Sequence, residues 1–123
     1  MDGVDAALVR FGDRSLDVIA THQHDYPGPL RHALVAARSL PNLRRSEQVP
    51  DLHRLVGECF RDAALALLAS AGVDAASVRA IGSHGQTLRH APDAAEPYSL
   101  QIGDPDLIAA GTGIATIADF RRA

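Results

Sequence analysis

Apolar and polar positions alternate at the start of the chain. Val4 to Phe11 (VDAALVRF) reads as a strand, and Gly12-Asp13-Arg14 behind it is a turn signal. Ser15 to His24 (SLDVIATHQH) places Leu16, Val18 and Ala20 on one face and Asp17, Ile19 and Thr21 on the other. Together they predict an antiparallel hairpin. Pro27, Gly28 and Pro29 break the alternation. A helix follows over 30–39, with Leu30, Ala33, Leu34 and Ala37 as its stripe and Pro41 as its stop. Residues 42–50 are polar and end in Pro50. Over 51–71 the period becomes helical: Leu52, Leu55, Val56, Cys59, Phe60, Ala63 and Leu67 form one continuous face. Asp51 is the expected N-cap and Gly72 the expected C-cap. Leu65 and Leu68 widen the arc, which predicts burial on more than one side.

The last third is punctuated by glycine. Val78 to Gly82 (VRAIG) reads as a short core strand, and the polar corner Ser83-His84-Gly85-Gln86-Thr87 follows it. Tyr98 to Ile102 (YSLQI) is a further strand. Asp104-Pro105 is favourable grammar for a helix start, Gly111 is its expected end, and Ile114 to Ala118 closes as a strand. Strand pair, helices, strand, strand, helix, strand is the order of an α/β chain with a mixed sheet.

Composition narrows the classes of function. The chain has 123 residues, enough for one small domain. Its 12 basic and 15 acidic side chains give a net charge of −3, which argues against nucleic acid and against anionic membranes as partners. All 12 cations are arginine, beside 22 alanines, a compositional bias rather than arginine-specific chemistry. Cys59 is the single cysteine, so an internal disulfide or a cysteine-based zinc cluster is excluded; within the apolar stripe it reads as a core residue. Apolar runs fall far short of the roughly 20 residues that span a bilayer. The opening MDGVDAALVRF carries no basic leader, and a cytoplasmic location is expected.

Candidate chemistry gathers at strand ends, where ligands bind in open α/β sheets. Glycines flank Ser83 and His84, letting backbone approach a ligand while Ser, His, Gln and Thr offer donors and acceptors. A polar glycine turn with a satisfied histidine accounts for the same residues. Asp104, in Gln101-Ile102-Gly103-Asp104, either faces a ligand or simply caps the next helix. Arg121 and Arg122 suit bidentate contacts to a carboxylate or phosphate, and equally suit solvent. Asp2-Gly3-Val4-Asp5 either positions an acid near metal-bound phosphate or is a plain turn. His22 and His24 share a strand face as a possible metal pair, but no third ligand is evident to complete a site. Adjacent Ser83 and His84 do not make the nucleophile–base geometry of a hydrolase.

Taken jointly, these segments are specific. IGSHGQTLRHAP and YSLQIGDPDLIAAGTGIATIADFRR resemble the anhydro-N-acetylmuramic acid kinase family, whose pattern is approximately GxHGQTxxHxP, TLQIGD and TGI…DFR. The matching stretches are 82–92, 99–104 and 112–121, and their spacing fits as well. DGVDAALVRF resembles the continuation of the family's opening signature, M-S-G-T-S-x-D-G-x-D.

The resemblance implies an incomplete actin/hexokinase-like (ribonuclease H-like) ATPase lobe, a mixed sheet flanked by helices. Residues 1–123 would be a partial N-terminal kinase lobe, with the second lobe absent from this chain. The implied reaction uses ATP, Mg2+ and water to convert 1,6-anhydro-N-acetylmuramic acid to N-acetylmuramic acid 6-phosphate in cell-wall recycling and amino-sugar catabolism. Positioning and charge stabilisation dominate such phosphoryl transfer, and a carboxylate base activates the water. By resemblance, Asp2, Gly3, Val4 and Asp5 are nucleotide-binding, with Asp2 reaching Mg-ATP. Ser83, His84, Gly85 and Gln86 border the active-site cleft, and Asp104 and Arg121 help shape the sugar site. The Ser-Gly-Thr-Ser part of the signature is missing, and the segment expected to carry the catalytic base lies beyond Ala123, so no residue here takes that role. Small-molecule substrates are the implied partners, and apolar surface left exposed on a lone lobe points to a homodimer. The competing expectation is a catalytically inactive fragment that acts only in binding or association.

Overall fold

The computed structural model describes residues 1–120, and its three helices and six strands are of the expected α/β class. The hairpin forms as predicted: β1 (Gly3–Phe11) pairs antiparallel with β2 (Leu16–Asp25), from Gly3↔Asp25 to Phe11↔Leu16, with an irregularity between Leu8 and Val9. Gly3 is required there, because a Cβ would run into the His24 carbonyl. Two-sided alternation holds less well. Phe11, Leu16, Val18 and Ile19 at the hairpin tip are all exposed.

Helix α1 (Gly28–Ala37) begins just ahead of the predicted position, with Pro29 in the first turn, where no N–H is needed. Helix α2 (Pro50–Ala71) is the spine of the molecule and packs on β1, β2 and the later helix. Its N-cap is Val49 rather than Asp51, because Pro50 takes the first helical position and places Asp51 inside the first turn. Gly72 ends it in the left-handed region (φ 65°), and the Val73 N–H donates to the Leu68 carbonyl. Leu68 is buried, but Leu65 points to solvent, so the widened arc is buried on that side only in part.

The remaining strands are β3 (Ile81–Gly82), β4 (Gln86–Ala91), β5 (Tyr98–Ile102) and β6 (Thr116–Ile117). Parallel and antiparallel pairing both occur, divided among three two-stranded ladders: β1–β2, β3–β6 (parallel) and β4–β5 (antiparallel). The predicted strands over 78–82 and 114–118 shrink to two paired residues each. Strand β4 is an addition; only Leu88 is buried along it, too little for a hydrophobic alternation. Helix α3 (Pro105–Thr112) starts at Asp104 as predicted, its carboxylate accepting from the Asp106 N–H at 2.9 Å. It ends at Gly113 (φ 71°), not Gly111, whose missing side chain instead makes room for the Arg61 side chain.

The deepest side chains are Leu34, Leu43, Val56, Ile102 and Ile108, drawn from the three helices, from β5 and, for Leu43, from the loop between α1 and α2. Arg89 ties distant chain together: its guanidinium donates to the carbonyls of Arg38 (2.6 Å), Leu40 (2.7 Å) and Leu43 (3.3 Å) beyond the end of α1. These are carbonyls that a helix end and its trailing turn leave without internal partners. Among the described residues, no helix is long and apolar enough to cross a membrane.

Candidate functional site

The site is built where β3 and β5 end. Ser83 leaves β3 with its N–H donating to the Ile117 carbonyl at 2.9 Å, which fixes the corner beside β6. The chain then turns through Gly85 (φ 72°), where a Cβ would sit 2.8 Å from the Ile102 carbonyl. On the facing strand, Gly103 has φ 124°, and a Cβ there would lie 3.2 Å from Val56 Cγ1. Register pairs Gln86 with Ile102. The two glycine-punctuated corners therefore meet, and only glycine fits at both contacts.

Helix α2 holds this junction from behind. His53 Nδ1 accepts from the Gly103 N–H at 3.0 Å, and the His53 carbonyl accepts from the Asp104 N–H at 3.0 Å. With Nδ1 accepting, the neutral ring carries its proton on Nε2. Gly57, one turn on, lets the helix approach: a Cβ would lie 2.8 Å from the Asp104 nitrogen.

Two openings meet at Ser83 and His84. The smaller, about 170 Å³, is lined by Glu47, His53, Gly85, Gln101, Gly103 and Asp119 among others. The larger, about 890 Å³, runs between β1 and the segment leading into β3. Ser83 Oγ is buried and has no hydrogen-bond partner among the described residues. His84 is exposed, its ring edge-on to Phe60 at 6.4 Å. A buried hydroxyl without a partner beside an exposed imidazole is no nucleophile–base pair, but it offers a donor and an acceptor to an entering ligand.

The other predicted residues divide. Gln86 is engaged internally, its Oε1 accepting from the Tyr26 hydroxyl at 3.0 Å and its Nε2 donating to the Thr87 carbonyl. Asp104 caps α3 with one carboxylate oxygen. At the opening of the chain, Val4 is buried in the core and Gly3 abuts β2, whereas Asp2 and Asp5 are exposed. Val4 and Asp5 share the larger cleft with Ser83 and His84. Arg121 lies outside the described residues. The rings of His22 and His24 are 5.8 Å apart, and no cluster of three metal-ligating side chains occurs among the described residues.

Two titrating groups lie in the core beneath the site. Burial pushes the Tyr26 hydroxyl above its ordinary pKa, and Cys59 adds to that shift. Burial likewise raises the Cys59 thiol, helped by the Asp62 and Glu58 carboxylates and opposed by Arg61. Cys59 is therefore a protonated core thiol, not a nucleophile.

His53, Gly57 and Asp119 are the site residues that sequence reasoning passed over. His53 lay within a helical stripe pattern that gave it no role. Asp119 had a visible signal, its place just past a strand, and it adopts a left-handed backbone (φ 61°) at the rim of the small cavity.

A family model described as anhydro-N-acetylmuramic acid kinase matches residues 1–123. Among curated relatives, the anhydro-N-acetylmuramic acid kinase of Coxiella burnetii (strain RSA 493 / Nine Mile phase I) is 46% identical over 127 residues, covering 99% of this chain and 32% of the relative. Proteins of the same name from Vibrio vulnificus (strain CMCP6) and Shewanella halifaxensis (strain HAW-EB4) are 44% and 48% identical, each covering 99% of this chain and 33% of the relative. The chain thus spans about a third of the length of the curated relatives it matches.

Proposed function

The chain belongs to the anhydro-N-acetylmuramic acid kinase family, and on that premise we propose that it forms the partial N-terminal lobe of a kinase acting on 1,6-anhydro-N-acetylmuramic acid. In this reading water opens the anhydro ring while O6 receives the γ-phosphoryl group of ATP, giving N-acetylmuramic acid 6-phosphate and ADP. Such a product suits cell-wall recycling in the cytoplasm.

The observation that carries the proposal is the unpartnered, buried Ser83 hydroxyl at the meeting point of two cavities. Buried hydroxyls are rarely left without a partner, and a sugar hydroxyl supplies one. His84 offers a second polar contact from the exposed side, and Gly85 permits close approach of backbone. The small cavity is too small for a whole amino sugar and takes part of one, the rest extending into the larger cleft. Asp104 and Gln86 act chiefly by holding the two corners in place; Arg121 is assigned to the sugar side as well.

Nucleotide binding falls to the opening segment. Asp2 and Asp5 present exposed carboxylates, oxygen donors of the kind that suit Mg2+. Gly3 and Val4 shape the strand beneath them. Bound Mg-ATP would supply the transferable phosphoryl group and neutralise its charge. In this reading the chain's residues orient the sugar, and the catalytic base is assigned to none of them.

Isothermal titration of the 123-residue chain with the anhydro-sugar, and separately with Mg-ATP, tests the proposal. Sugar binding is expected, weakened by Ser83→Ala and His84→Ala while the circular dichroism spectrum stays that of the parent. Absence of sugar binding, or binding indifferent to both substitutions, refutes the site. Turnover by the isolated chain would eliminate the reading of it as a binding or association module only.

A further inference from the structure

We infer that α1 and the loop behind it form a docking surface for a carboxylate-rich segment of a partner protein. Between Asp25 and Glu47 the sequence holds no acidic side chain, but it holds Arg31, Arg38, Arg44 and Arg45. All four are exposed, on a chain whose net charge is −3. The net value hides the patch, because it averages a basic surface with a more acidic remainder. Among the described residues the ion pairs are Arg54–Glu58 and Arg61–Asp62, so no carboxylate neutralises any of the four. Val35 and Leu40, 54% and 44% exposed, lie among them along the chain.

The loop is held in one shape from several sides. Arg89 gathers the carbonyls of Arg38, Leu40 and Leu43, and the Tyr98 hydroxyl donates to the Leu43 carbonyl at 3.1 Å. Gln48 Oε1 accepts from the N–H groups of Arg44 (2.7 Å) and Arg45 (2.8 Å), and its Nε2 donates to the Asn42 carbonyl at 3.0 Å. Leu43 anchors the loop in the core. A loop fixed in this way presents its outward side chains with little ordering left to do on binding.

Arg44 shows what is presented. Its guanidinium carbon lies 4.7 Å from the centroid of the Tyr98 ring. Stacking fixes the plane of the fork and leaves its edge free, since among the described residues no group accepts a hydrogen bond from that guanidinium. A planar fork with a free edge matches a carboxylate through two parallel hydrogen bonds. Composition placed arginine at every cationic position; the fold gives this one a ring to stack on.

The form of the surface selects the partner. Small-molecule sites are concave, and neither opening described above is lined by any residue of 28–45. Exposed Val35 and Leu40 beside the cations suit a partner that brings apolar contacts with its carboxylates, as a free anion does not. A bilayer attracts basic residues whatever their arrangement, so a loop held this firmly favours a partner with geometry of its own. The surface uses neither the sugar nor the nucleotide and stands apart from the proposed activity.

The probe is a rhodamine-labelled peptide of about eight residues, glutamates interspersed with leucine, long enough to span the loop at roughly 3.3 Å per residue. Anisotropy reads its binding to the 123-residue chain, and the control peptide carries glutamine for each glutamate. The glutamate peptide is expected to bind, more weakly as salt rises, and the glutamine control is not. Arg44→Gln with Arg45→Gln should weaken binding at least about ten-fold. Arg14→Gln with Arg79→Gln removes the same charge elsewhere and should leave it unchanged. Tyr98→Phe keeps the ring and should bind as the parent does, whereas Tyr98→Leu should bind more weakly. The inference is overturned if the glutamate peptide does not bind, if the two arginine pairs matter equally, or if Tyr98→Leu binds as tightly as the parent. It is equally overturned if phosphatidylserine-containing vesicles sediment the chain while the peptide fails, which would make the surface a membrane contact.

Discussion

His53 Nδ1 accepts the N–H of Gly103 across 50 residues of sequence, at 3.0 Å. One imidazole on α2 thereby holds the turn between β5 and α3, and with it one wall of the small cavity. His53→Ala leaves the buried Gly103 N–H without a partner, which costs about 1–3 kcal/mol. His53→Asn, which keeps an acceptor, should recover part of that loss. Urea unfolding of the two variants makes the comparison; equal losses would show that packing, not the hydrogen bond, matters.

Gly85 and Gly72 both have positive φ, but only Gly85 is crowded, since nothing lies within 4 Å of a Cβ at Gly72. Gly72→Ala is expected to cost the left-handed conformation alone, about 1–2 kcal/mol. Gly85→Ala adds a collision with the Ile102 carbonyl, so its destabilisation should be the larger, and it should displace the two corners as well. Denaturation midpoints rank the two, and the reverse order would contradict the geometry.

Alkaline pH should destabilise the fold in a defined order. Cys59 and Tyr26 both have folded-state pKa values raised above their ordinary 9.0 and 10.0. Between the ordinary and the raised value, the unfolded chain has lost a proton that the folded chain keeps. Stability is therefore full below about pH 9 and falls as pH rises, by up to about 1.4 kcal/mol per pH unit for each group. Tyr26→Phe should flatten the fall above pH 10. It also removes the hydrogen bond to Gln86, at a cost near 1 kcal/mol at neutral pH. Thermal melts across pH 7 to 11 read both effects.

Arg89 gathers three carbonyls from residues 38–43. Arg89→Lys keeps the charge but loses the planar fork, and should lower stability by about 1–3 kcal/mol. Amide exchange after α1 should quicken in the same variant. Unchanged exchange there would show that the loop is held by other contacts.

Much of the local structure was legible in the chain. The hairpin follows from alternation between Val4 and His24, α2 from a helical period ending at Gly72, and the start of α3 from Asp104-Pro105. The kinase-family motifs were equally visible as strings of residues. Each of these signals acts within a few residues along the chain. Strand β4 was not legible, because a strand that buries only Leu88 leaves no periodic trace. Its pairing with β5 is stabilised by hydrogen bonds that any sequence can make.

The amino-acid order by itself determined where helices and turns lie, through propensity, capping and the positive φ that glycine allows. Tertiary structure alone decided that Gly85 and Gly103 meet back to back, that His53 reaches the second of them, and that Ser83 is buried without a partner. It also decided that Phe11, Leu16, Val18 and Ile19 stay exposed, although their alternation is that of a half-buried strand. Periodicity records which side chains share a face; whether anything covers that face depends on packing between segments far apart in the chain.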